Sequence, residues 1–122
     1  MRTKFILLAF TLILSACSPH PGAGGWLATD ADAKLQRLEI RYAGNADLYT
    51  QKEDVVAAWR CFWGAADKNI ASLKCVDASN ADNEKTYLFV VNKETNQGVL
   101  KLGEQILGRY NWQPPTEPVE QE

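Results

Sequence analysis

The first seventeen residues, MRTKFILLAFTLILSAC, decide how much of this chain is left to fold and in what chemical surroundings. Arg2 and Lys4 make a short positive start. Phe5 to Leu14 is an apolar run broken only by Thr11, and the small residues Ser15 and Ala16 follow. That is the three-part layout of a secretory signal. The run is about half the ~20 apolar residues that a membrane-spanning helix needs. It also lacks the amphipathic pattern and the caps that a buried core helix would need. Residues 1–16 are therefore expected to be removed, and the remaining 106 suit one small domain.

Leu14-Ser15-Ala16-Cys17 resembles the lipobox of bacterial lipoproteins, which reads aliphatic, small, small, Cys. The resemblance implies that the Cys17 sulfur receives a diacylglyceryl group, that a peptidase cuts before it, and that the new amino terminus is acylated. Ser18 stands where the family's inner-membrane retention signal has Asp, so the implied address is the outer membrane. Each buried methylene of such a group is worth about 0.8 kcal/mol, and several chains on one residue hold firmly. Cys17 is the expected membrane tether.

Without Arg2 and Lys4, eleven basic side chains face fifteen acidic ones, a formal charge of −4. Such a chain has no electrostatic footprint for nucleic acid. It shows no polybasic run for anionic lipid either, which leaves anchoring to the acyl group. Residues 17–25, the lipidated Cys and SPHPGAGG, read as a flexible Pro/Gly linker. Residues 114–122, PPTEPVEQE, read as a disordered acidic tail. Between them, residues 26–113 hold all four Trp and all four Tyr, enough large apolar surface for a compact core.

With Cys17 acylated, Cys61 and Cys75 remain, and an exported domain meets oxidising surroundings in which two such thiols pair. A metal site would need further ligands, and the only His, His20, lies in the linker. A redox pair would show Cys-x-x-Cys, which is absent. A structural disulfide is expected.

That bond constrains the strands around it. If DVVAAWRCFW (54–63) and NIASLKCVD (69–77) are antiparallel strands joined through GAADK, then Cys61 opposite Cys75 puts Trp63 opposite Leu73 and Trp59 opposite Asp77. LEIRY alternates, with Leu38, Ile40 and Tyr42 on one face. In TYLFVVN, Tyr87, Phe89 and Val91 share a face, and a turn KETNQG would set Val91 opposite Leu100 and Phe89 opposite Leu102. ILGRYNW puts Ile106, Tyr110 and Trp112 on one side. Short strands at this spacing predict a mainly β fold, a small antiparallel meander or barrel with one cross-strand disulfide. The competing reading is α+β, with two helices on a three- to four-stranded sheet. Leu27, Ala31, Leu35, Leu38 and Tyr42 form a helical stripe, and Thr50 with Glu53 has capping-box spacing. The β reading is preferred because residues 55–63 are apolar on every side, which suits a strand more than a surface helix.

Gly25-Trp26 at the start of the domain and GVLKLGEQILGRYNW at its close resemble small calycin or lipocalin-like barrels of bacterial envelope lipoproteins. The resemblance implies a binding function, and lysozyme inhibition is one role found among such proteins.

Catalysis lacks its usual groups. A lone linker histidine supplies no base for Ser or Cys nucleophiles, and the glycines at 22, 24 and 25 follow no strand, so no phosphate loop forms. Asp77, Asp82 and Glu84 lack EF-hand spacing and read as a solvated loop. No enzyme, cofactor or metal is expected. The stretch WRCFW offers Trp59, Arg60 and Trp63 as candidate binding residues, although core packing beside the disulfide is the plainer reading of the two Trp. Two functions stay open: a lipid-anchored module that binds another envelope protein or a host protein, and a small-ligand carrier with an aromatic-lined cavity. An exposed apolar patch favours the first. An enclosed cavity of about 300 Å³ or more favours the second.

Overall fold

A computed structural model describes residues 20–114. Cys17, the signal segment and the tail beyond Pro114 lie outside the described residues. Eight antiparallel strands follow one another around a closed barrel: β1 (Gly24–Ala28), β2 (Arg37–Ile40), β3 (Asn45–Tyr49), β4 (Trp59–Asp67), β5 (Ile70–Asp77), β6 (Asn80–Asn92), β7 (Gln97–Leu102) and β8 (Gln105–Gln113). Each pairs with the next, and β1 pairs with β8 through Trp26 opposite Trp112 and Ala28 opposite Tyr110. The mainly β expectation holds.

None of the described residues is helical. The apolar stripe from Leu27 to Tyr42 is split between β1, an irregular connection and β2. Side-chain-to-backbone bonds within the connection hold it in an irregular loop. The buried Gln36 amide donates to the carbonyls of Asp30, Ala31 and Ala33, at 3.1, 3.3 and 2.6 Å. Thr50 and Glu53 cap nothing. Instead Asp54 Oδ2 accepts from Thr50 Oγ1 at 3.1 Å and from the Gln51 N–H at 3.2 Å, which folds 50–54 into a tight loop.

An eight-stranded barrel has an interior just wide enough for side chains to fill. Here Trp26, Phe89, Tyr110, Leu38, Leu48, Leu73 and Leu100 occupy it, each 1% exposed or less. Phe89 is the hub, edge-on to Trp26 at 4.8 Å and to Tyr110 at 6.0 Å between ring centroids. The Tyr110 hydroxyl donates to the Leu35 carbonyl at 2.7 Å, so the one polar atom of that ring is satisfied inside the core.

The Cys61–Cys75 disulfide joins directly opposed residues of β4 and β5, with Cα atoms 4.0 Å apart. Trp59 faces Asp77 and Trp63 faces Leu73, the register that the cysteines dictate. The strand limits differ from expectation. Residues 54–58 precede β4, whereas β4 runs on to Asp67 through a bulge between Ala65 and Asp67. The turn is therefore only Lys68–Asn69.

Three further expectations are corrected. Phe89 faces Leu100 and Val91 faces Gly98, two residues away from the expected pairing. Gly98 belongs to β7 and not to the turn, which closes at Asn96 with φ 57°. Tyr42 lies in the turn after β2 and is 74% exposed, off the Leu38–Ile40 face. Ile106 points outward, because a bulge at Leu100/Lys101 flips β8 relative to Tyr110.

The segment before Trp26 is part of the fold. Gly24 and Gly25 pair with Ile40 and Gln113, and Gly22 accepts a hydrogen bond from the Trp26 indole at 3.1 Å. His20 Nε2 donates to the Asp67 carbonyl at 2.9 Å, its Nδ1 accepts from the Gly22 N–H at 3.0 Å, and its ring meets Trp63 edge-on at 5.6 Å. The folded unit thus includes His20. Of the glycines that suggested a linker, Gly24 is there because a side chain would collide: a β-carbon on it would lie 2.4 Å from Trp112 Nε1, and φ is +132°.

Candidate functional site

Strand direction defines two ends. The near end carries His20–Ala23, the β2–β3, β4–β5 and β6–β7 turns and the close of β8. The far end carries connections 29–36 and 50–58, the β5–β6 turn and the β7–β8 turn. Closure leaves no free strand edge, so a partner cannot add a strand and must meet side chains.

The three candidate residues do not form one surface. Trp59 and Trp63 point into the barrel on either side of Cys61 and pack on the core. Trp59 meets Tyr87 edge-on at 6.0 Å toward the far end. Trp63 closes the near end, and its indole donates to the Arg41 carbonyl at 2.6 Å. These are packing residues. Arg60 alone faces outward, opposite Asp47 and Val76.

The outward neighbour that sequence reasoning passed over is Phe62, 77% exposed between Asn45 and Lys74. Alternation with Trp63 contained the signal: if both tryptophans face in, Phe62 must face out. Near it, the β2–β3 turn presents Tyr42. At the far end of the same hairpin, Val55 and Val56 are 92% and 71% exposed. Those valines stand on a braced loop. Ala57 is buried behind them, and the Ala58 N–H donates to the Leu48 carbonyl at 2.8 Å. Four of the six exposed large apolar residues among the described residues therefore belong to the β2–β3 turn, the β3–β4 connection and β4.

The base of this flank is stiffened by charge. Arg41 donates to Asp47 at 2.7 Å and to Glu39 at 3.1 Å, and Arg37 approaches Glu39 at 3.4 Å. The Arg37 guanidinium also stacks 3.8 Å over the Tyr49 ring. Partly exposed pairs of this kind contribute little to stability but fix side-chain positions.

The two described depressions are open and lie at the ends, not inside the barrel. The larger, about 1030 Å³, runs at the near end past His20, Lys68, Lys93, Glu94 and Arg109. The smaller, about 560 Å³, lies at the far end beside Gln36, Thr50 and Glu53.

Asp77 shapes the β5–β6 turn. Its Oδ1 accepts from the Ser79 N–H and hydroxyl, both at 2.8 Å, which holds its carboxyl below the usual range and uses it to form the β5–β6 turn. No group of three potential metal ligands comes together among the described residues. Comparison of the chain with protein-family models, curated proteins and solved structures returns no match.

Proposed function

We propose that the protein is a lipid-anchored envelope module that binds another protein through the flank built on the β3–β4 hairpin. The observation that carries this reading is the concentration of exposed apolar side chains there, Tyr42, Val55, Val56 and Phe62, with Arg60 among them. Aromatic and Arg side chains on a rigid wall lose little entropy on contact and dominate the energetics of protein interfaces. The filled barrel interior favours this over a carrier role, since the aromatic side chains that would line a calyx pack against one another. Anchoring rests on the lipobox-like LSAC at residues 14–17, and Ser18 in place of a retention-signal Asp supports an outer-membrane address.

Both halves are testable. Metabolic labelling with a clickable palmitate analogue should mark the protein and fail on Cys17→Ala, which should accumulate as the uncleaved precursor. Undiminished labelling of the variant overturns the anchor. For the flank, a photo-crosslinking amino acid at position 62 or 55 should give one discrete adduct in the intact envelope, and the same probe at Lys101, on the opposite wall, should give none. Host lysozyme is a direct partner to try in the same assay. Equal crosslinking from all three positions overturns the flank as the interface.

A further inference from the structure

We propose that the near-end groove seats the phosphate-bearing headgroup of a membrane lipid, an inference that rests on acylation of Cys17. The first argument is reach. Cys17 precedes His20 by three residues, which span at most about 11 Å when fully extended. His20 itself is fastened to the barrel through Asp67 and Trp63. An acyl group on Cys17 therefore holds the near end, and the groove beside His20, against the bilayer surface.

The second argument is charge. Lys68, Lys93 and Arg109 line the groove against the single carboxylate of Glu94. None of the three cations forms an ion pair among the described residues, where the arginines of β2 and its turn account for the ion pairs. The far end is the reverse: its connections carry Asp30, Asp32, Glu53, Asp54 and Glu104 against Lys34 and Lys52. Carboxylates thus outnumber cations in the far-end connections, whereas the groove holds three cations with no ion pair among the described residues against one lining carboxylate, with Asp67 beside it at the close of β4. An anionic surface orients such a barrel groove-first. On this proposal the acyl group does not anchor alone. Net charge and sequence runs hide the cluster, because Lys68, Lys93 and Arg109 come from three separate elements. At roughly 1000 Å³ the groove has room for a glycerophosphate headgroup, and the hydroxyl and amide side chains of Thr95, Asn69 and Gln97 border it.

The test uses the mature, acylated protein in vesicles. Intact mass first establishes the acyl group, and its absence overturns both the anchor and this proposal. The protein is then inserted into phosphatidylcholine vesicles, or into phosphatidylcholine mixed with phosphatidylglycerol, and labelled with an amine-specific reagent read out by mass. Lys68 and Lys93 should label about fivefold more slowly with the anionic lipid, the gain expected per cation near such a surface. Lys34 and Lys52 should not change. Lys93→Gln should reduce the protection of Lys68, and Lys34→Gln should not. Equal labelling of Lys68 and Lys93 in both vesicles overturns the headgroup site while leaving the anchor intact. The same protection from inorganic phosphate over neutral vesicles would assign the groove to free phosphate and overturn the membrane source.

Discussion

The ring of Phe89 lies against Gly98 so closely that a β-carbon at position 98 would stand 2.2 Å from Phe89 Cζ. Phe89 cannot yield, since it is fully buried and held between Trp26 and Tyr110. Gly98→Ala should therefore destabilise the barrel by about 1–3 kcal/mol, the cost of overpacking a close-packed core. Gly64→Ala, at a position with open space around it, should be neutral or slightly stabilising. Urea denaturation of the two variants checks this, and equal midpoints would mean that the Phe89 contact is not tight.

The disulfide should survive as the strongest single staple. Reduction, or Cys61→Ala with Cys75→Ala, should cost about 2–4 kcal/mol, because the bond closes a loop of sequence separation 14 and its sulfurs are buried in the core. Mass spectrometry of the unreduced protein should show no free thiol at 61 or 75. Two free thiols there would refute the bond in the exported protein.

These two neighbourhoods show what the sequence made legible. Between β4 and β5 the cysteines fix one pair, and period-two alternation then carries Trp63 to Leu73 and Trp59 to Asp77. Nothing comparable ties β6 to β7. There Gly98 looked like turn chemistry, so the pairing came out two residues off. The glycine is present for packing, and only knowledge of where Phe89 lies reveals that. The same ambiguity made SPHPGAGG look like a linker, when Gly24 is required by the Trp112 indole. In the candidate site, alternation correctly separated Arg60 from the two tryptophans. It left open which face looked outward, because barrel closure is a long-range property that no local pattern encodes.

Removal of residues 1–25 should be damaging. Residues 26–113 hold the large apolar side chains, but they lack the contacts that Gly22, Gly24 and Gly25 make with the barrel. Without them the buried Trp26 indole N–H loses its acceptor, at a cost of about 1–3 kcal/mol, and β1 loses pairs to both neighbours. A chain starting at Ser18 should match the mature protein in urea. A chain starting at Trp26 should not.

Alkaline pH should weaken the fold through Tyr110. Burial first, then the neighbouring Tyr87, raises its phenol above the ordinary value of 10.0. Tyr87 is raised as well, by burial and then by Asp77. The unfolded chain therefore loses these protons first. Stability should be flat in this respect below about pH 10, then fall as pH rises, by up to ~1.4 kcal/mol per pH unit for each proton held only by the folded form. Tyr110→Phe should lose about 1–2 kcal/mol at neutral pH, with the bond to Leu35 gone, yet show a shallower alkaline decline. An unchanged alkaline slope in the variant would mean that other groups govern it.

The flank and the core should separate cleanly by mutation. Phe62→Ser and Arg60→Ala remove side chains that stand in solvent, so stability should change by no more than about 0.5 kcal/mol. Trp63→Ala removes an indole that packs on the core, meets His20 and bonds to Arg41, and should cost about 3–5 kcal/mol, less to the extent that the near end stays open to water. Partner crosslinking from position 55 should follow the opposite order. It should drop with Phe62→Ser and Arg60→Ala at unchanged melting temperature, and in Trp63→Ala it should fall only as far as the folded fraction falls. Measuring the thermal midpoint and adduct yield on the same three variants decides the matter. If Phe62→Ser leaves the adduct intact, the exposed phenylalanine is not part of the interface. If it lowers the midpoint as much as Trp63→Ala does, Phe62 is packed, and the outer wall of β4 is not the open surface on which a partner would dock.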